Sequence, residues 1–187
     1  MTLINEAVLA GHGVFSLALG KKDAERFFTL TLFGLTGAAI ALIIAMAISA
    51  FTPVILGNAN EMIPPNKAFI YTAGVYLVQI GAGAIVLNQL KRLDAFIPYL
   101  VADFWSTFYV TLVTLVISMF NLEKGIFMLV LAILVLAIKI NIIRLIVKLP
   151  FGQITLFFAA HLIAGFIALI VLGSILGIEP IQMNELQ

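Results

Sequence analysis

The sequence predicts an all-α fold, a polytopic bundle of five transmembrane helices with an N-terminal interfacial helix, and three observations carry that prediction. Five long apolar stretches follow one another with only short polar breaks between them. Hydrophobic residues fill 63% of the 187 positions and charged residues 10%, against about 45–50% and about 25% in soluble domains. A soluble fold of this size needs more polar surface than such a composition supplies. Finally, the ten Lys and Arg residues are not spread evenly but gather in every second connection.

Taken in order, residues 1–26 come first. Leu3, Ile4, Ala7, Val8, Gly11, Phe15 and Leu19 recur at spacings of three and four. That pattern predicts a helix with one apolar face, lying on the membrane surface or packed against the end of the bundle. No basic residue opens the segment, and Glu6 and His12 interrupt its apolar run, so it does not have the pattern of a cleavable signal peptide. Crossing the hydrocarbon core takes about 20 mainly apolar residues. Spans are accordingly predicted near 29–56, 68–90, 97–120, 125–147 and 154–177, inside a membrane domain of 27–178, with 179–187 as a short tail.

Helix breakers fall between these spans. Pro53 and the segment from Gly57 to Pro65 close the first, and Pro98 sits in the first turn of the third, where a missing N–H leaves no bond unmade. Pro150 and Gly152 mark the fourth connection, and Pro180 follows the last span.

Lys21, Lys22 and Arg26 precede the first span, Lys91 and Arg92 separate the second from the third, and Lys139, Arg144 and Lys148 gather at the end of the fourth. Lys67 and Lys124 alone occupy the other connections. Short loops rich in Lys and Arg stay in the cytoplasm. The expectation is a multi-pass protein of the cell's inner, cytoplasmic membrane with its N-terminus inside and its C-terminus outside.

Small residues mark the faces that pack. Gly37, Ala41, Ala45 and Ser49 repeat every fourth residue in the first span, Gly74 and Gly81 fall in the second, and Gly165, Gly173 and Gly177 in the fifth. Such positions let helix backbones approach closely. They serve packing within the chain or, through Gly173-x-x-x-Gly177, pairing with a second copy.

The third span is the most informative. Asp103, Thr107, Thr111, Thr114 and Ser118 recur at three or four and share one face. Hydroxyls can bond their own helix's carbonyls, but a carboxylate facing lipid is costly. His161, Asn141, Arg144 and Lys139 fall at similar depth on the cytoplasmic side. The expected site is an intramembrane polar cluster of Asp103, Lys139, Asn141, Arg144 and His161, with Asp103 facing Arg144 or Lys139. Such a cluster either orients the helices while Lys139 and Arg144 snorkel to the headgroups, or forms an ion path or a lipid pocket. In the latter case Lys139, Arg144 and Lys148 are candidates to meet anionic headgroups. The outer halves of the spans offer hydroxyls, with Gln79 at mid-depth, so no carboxylate relay is visible.

Other chemistry has little support. The chain has no cysteine and two histidines, His12 and His161, on different segments, so thiolate sites and paired-histidine metal motifs are excluded. Neither a catalytic constellation nor a phosphate loop appears, and no cofactor is expected. A net charge of +1 gives no reason to expect nucleic acid.

The segment Asn88-Gln-Leu-Lys-Arg-Leu-Asp-Ala-Phe-Ile-Pro-Tyr-Leu100, a short basic connection into a proline-bearing span, together with the five-span layout, resembles the Yip1-domain membrane proteins, in their bacterial form. The Asp-Leu-Tyr-Gly-Pro motif of eukaryotic members has no counterpart here, and no functional residue is carried over. The resemblance implies a small membrane scaffold. The sequence thus points to a non-enzymatic scaffold or accessory subunit that meets lipids, other membrane subunits or its own copy. The alternative is a small transporter or lipid-binding carrier built on the polar cluster. Five spans do not divide into equal halves and none has a central break, which disfavours a monomeric transporter.

Overall fold

The computed structural model of the protein describes residues 2–57, 63–120 and 124–178. Six α-helices run through them: α1 (Leu3–Ala18), α2 (Leu32–Ile55), α3 (Pro65–Gln89), α4 (Phe96–Met119), α5 (Lys124–Asn141) and α6 (Phe151–Leu176). No strand occurs among the described residues. Helices α2 to α6 are each long and apolar enough to cross a membrane, so the chain is an all-α, multi-pass integral membrane protein. The tail at 179–187, with Pro180, lies outside the described residues.

Local chemistry explains where the helices start and stop. The hydroxyls of Thr2 and Thr31 accept the backbone N–H groups of Asn5 and Gly34, both at 3.4 Å, and so cap α1 and α2. Pro65 opens α3 and Pro98 lies in the first turn of α4. The fourth span continues past α5 through a π-turn at Ile142–Ile146. Gly177 ends α6 with φ +62°, a left-handed conformation that glycine adopts without a Cβ penalty.

Helix α4 is the axis of the bundle. Its residues from Tyr99 to Ser106 are buried without interruption, the signature of a helix covered on every side. α2 lies along α4 and α3 lies along α6. Gly37, Ala41 and Ala45 form the buried stripe of α2, whereas Ser49 is exposed. Gly173 is buried beside the Tyr71 ring. Gly173 therefore packs α6 within the chain, while Gly177 ends the helix and stays exposed.

Helix α1 packs against the bundle along one face and leaves the other exposed. Ile4, Val8, Phe15 and Leu19 point outward and are 75%, 57%, 62% and 56% exposed. Glu6, Ala10, Gly13, Val14 and Leu17 form the opposite, buried stripe, which rests on α4 and α5. The Tyr109 hydroxyl donates to the Ala7 carbonyl at 2.6 Å, about 20 Å along α4 from its start at 1.5 Å per residue. α1 therefore leans down into the bundle.

The three basic connections meet at one end. Arg92 Nη2 donates to the Val147 carbonyl at 2.8 Å, and Lys148 Nζ lies 2.8 Å from Glu25 Oε2. At the opposite end Lys67 Nζ donates to the Leu176 carbonyl at 3.2 Å. The polar connections are thus tied to helix ends, where unpaired carbonyls need donors.

Candidate functional site

Four helices enclose a chamber of about 530 Å³ that opens sideways between α5 and α6. Its walls are mostly apolar: α5 supplies Met128, Leu131, Ala132 and Leu136, and α6 supplies Phe157 and Leu162. Met128, Leu136 and Leu162 at the rim are 63%, 52% and 71% exposed. They belong to membrane-spanning segments, so the opening faces the lipid phase.

Polar groups converge at the inner wall. Asp103 on α4 is 3% exposed. Its Oδ1 accepts a hydrogen bond from Lys139 Nζ on α5. Lys139 reaches Asp103 along its own stem, and its side chain remains 30% exposed. The Tyr76 hydroxyl of α3 hydrogen-bonds the Thr107 hydroxyl one turn beyond Asp103. The Tyr99 hydroxyl lies 3.0 Å from His161 Nε2, and His161 Nδ1 lies 3.1 Å from the Phe157 carbonyl. A carbonyl can only accept, so Nδ1 carries the hydrogen. In the neutral imidazole Nε2 then accepts the Tyr99 O–H. The Phe157 and His161 rings stack at 4.3 Å, and Tyr99 stands edge-on to both.

Two glycines make room for this arrangement. A Cβ on Gly83 would stand 3.1 Å from the His161 ring, and one on Gly165 would stand 2.7 Å from Gln79 Nε2. The α3–α6 contact is thus reciprocal: each helix presents a glycine where the other places a polar side chain of the chamber.

The residues singled out in the sequence separate into two groups. Asp103, Lys139 and His161 share the chamber. Asn141 and Arg144 lie on another face of the same span, both beside Gly20 after α1. Asn141 Nδ2 donates to the Leu17 carbonyl at 2.8 Å, satisfying the last turn of α1, and Arg144 is exposed. Asp103 therefore faces Lys139. Of the three cations considered for headgroups, Lys139 is paired with Asp103 and Lys148 with Glu25, which leaves Arg144 without an ion-pair partner among the described residues.

Tyr76 and Tyr99, which the sequence does not single out, and Gln79, which it places only at mid-depth, also line the chamber. A signal existed: Tyr99, Asp103 and Thr107 are spaced by four on α4, and Tyr76, Gln79 and Gly83 by three and four on α3. Among the described residues no cluster of three or more His, Asp or Glu side chains is placed to hold a metal ion. Comparison with protein-family models, curated proteins and solved structures finds no match to this chain.

Proposed function

We propose that the protein binds a membrane-soluble amphiphile in this chamber, with the polar head at Asp103, Lys139, Tyr99 and Gln79 and the tail leaving between α5 and α6. The observation that carries this reading is a nearly buried carboxylate set in the wall of an otherwise apolar cavity that opens to lipid. Small-molecule sites have this character: a concave apolar volume of about 300–1,000 Å³ with a few convergent polar groups. A purely helix-orienting ion pair gains nothing from a cavity beside it, because a void forfeits packing on its lining. We further infer from the clustered basic connections that their end of the bundle faces the cytoplasm. That places the ligand head in the inner half of the membrane.

Native mass spectrometry of the protein released in mild detergent tests the reading. The expected result is a bound-lipid adduct, reduced about tenfold in occupancy by Ala132→Trp, which fills the wall without touching the polar head. Equal adducts in both proteins, or none in either, would overturn it.

A second reading, the scaffold or accessory subunit, draws on one observation. The start of α5, from Gly125 to Val130, is exposed at every position, a complete apolar turn and a half free for another subunit's helix. The same spectra report it, as a protein adduct in place of a lipid.

A further inference from the structure

The chamber's hydrogen-bonding inventory narrows the ligand. Because Asp103 and Lys139 neutralise one another, the polar wall has no net charge, and an anionic head would meet an attraction from Lys139 already spent on Asp103. What remains is a set of unfilled neutral valences. Asp103 Oδ2 has no hydrogen-bond partner among the described residues and can only accept. The Lys139 ammonium has three N–H donors, of which one is directed to Asp103 Oδ1 and a second to the Tyr76 hydroxyl, which leaves one free. The Gln79 amide, a donor and an acceptor, makes no hydrogen bond to a described residue. Tyr99 spends its hydrogen on His161 and keeps its oxygen lone pairs.

A head that only accepts, such as a ketone or ester, leaves Asp103 Oδ2 unpaired in a cavity where that costs about 1–3 kcal/mol or more. A phosphate head brings a charge with nothing left to balance it. A hydroxyl donates to Asp103 Oδ2 and accepts from Lys139 or Gln79 in one placement, so it alone of the three fills both kinds of valence. We propose that the ligand is an uncharged lipid alcohol, a long-chain lipid whose head is a free hydroxyl, as in a diacylglycerol or a polyprenol. This inference rests on the amphiphile reading above and adds the head chemistry and the selection against anionic lipids.

The test uses the full chain reconstituted in phosphatidylcholine vesicles. Four photoactivatable probes with the diazirine on the tail are compared: a diacylglycerol, a polyprenol, a phosphatidic acid with the diacylglycerol's tails, and that diacylglycerol's methyl ether. Crosslinked peptides are read by mass spectrometry. The expected result is labelling of the α5 and α6 wall peptides by at least one alcohol, about tenfold above phosphatidic acid and above the ether. Whichever alcohol labels more identifies the source. Asp103→Asn leaves Lys139 unbalanced and shifts the preference to phosphatidic acid. The double variant Asp103→Asn with Lys139→Gln restores neutrality, and with it the preference for the alcohol. The double variant also covers the case in which the single one does not fold. Wall labelling led by phosphatidic acid or by the ether in the unaltered protein would overturn the alcohol assignment and leave the amphiphile reading standing. No wall labelling by any probe would overturn both.

Discussion

The two sides of the bundle handle a buried carboxyl group in opposite ways. On the open side, Asp103 is met by a lysine from the next span. On the closed side, Glu6 of α1 is 6% exposed, packs over Gly37 of α2 and has one oxygen without any hydrogen-bond partner. Burial pushes the Glu6 carboxyl above the ordinary glutamate range, and Trp105 and the N-terminal ammonium oppose the shift. A buried acid with no side-chain cation beside it lessens the cost of burial by holding its proton more tightly, whereas Asp103 has a lysine beside it. One side thus holds a charged pair beside a chamber of about 530 Å³, and the other holds a group that can be neutral beside a smaller cavity of about 160 Å³. Buried ion pairs stabilise a fold little over apolar replacements, so the pair on the open side is expected to add little to stability.

Breaking the pair gives the largest effect. Lys139→Met leaves Asp103 unbalanced behind a 3%-exposed surface and is expected to cost about 3–5 kcal/mol in detergent unfolding. The double variant Asp103→Leu with Lys139→Met is expected within about 1 kcal/mol of the parent or above it, because both charges leave together. If the double variant is as unstable as the single one, the pair is structural after all and the contrast between the two sides disappears.

The closed side responds to volume. A Cβ on Gly37 would stand 2.8 Å from Glu6 Oε2 and 3.1 Å from its carboxyl carbon. Gly37→Ala is therefore expected to cost about 1–3 kcal/mol through overpacking. Adding Glu6→Ala to it removes the clash and should recover most of that loss. No recovery would mean that α1 sits elsewhere than against α2.

Much of this arrangement was legible in the sequence, and what was not has a physical reason. Hydropathy placed all five spans, because each must satisfy its own backbone in lipid and so must be a long apolar helix. The period of 3.6 put Asp103 on one face with Thr107. Periodicity is silent, however, on which neighbour a face meets. That depends on how α5 crosses α4 and α1, and it decided between Lys139 and Arg144 as the partner of Asp103. The chamber was invisible for the same reason, since its polar wall is assembled from four helices. Glu6 read as an interruption of an apolar run, when the stripe it interrupts faces outward and Glu6 belongs to the buried one.

The smallest effect is also the most specific to the comparison. Below the ordinary glutamate range, Glu6 is protonated whether the chain is folded or unfolded and does not oppose folding. As pH rises past that range, the unfolded chain releases the proton while the folded chain, with its raised affinity, still holds it. Stability is therefore full at low pH, falls as pH climbs toward the raised value and levels off above it. Thermal unfolding in detergent from about pH 4 to about pH 8 should show this fall in the parent, and Glu6→Gln should abolish it. Lys139→Met should leave it in place, because the Asp103–Lys139 pair lies on the other side of α4. A fall that persists in Glu6→Gln assigns the titration to another group. A fall that vanishes in Lys139→Met means that the two carboxyls answer to one another across α4, and the two sides are then one electrostatic unit.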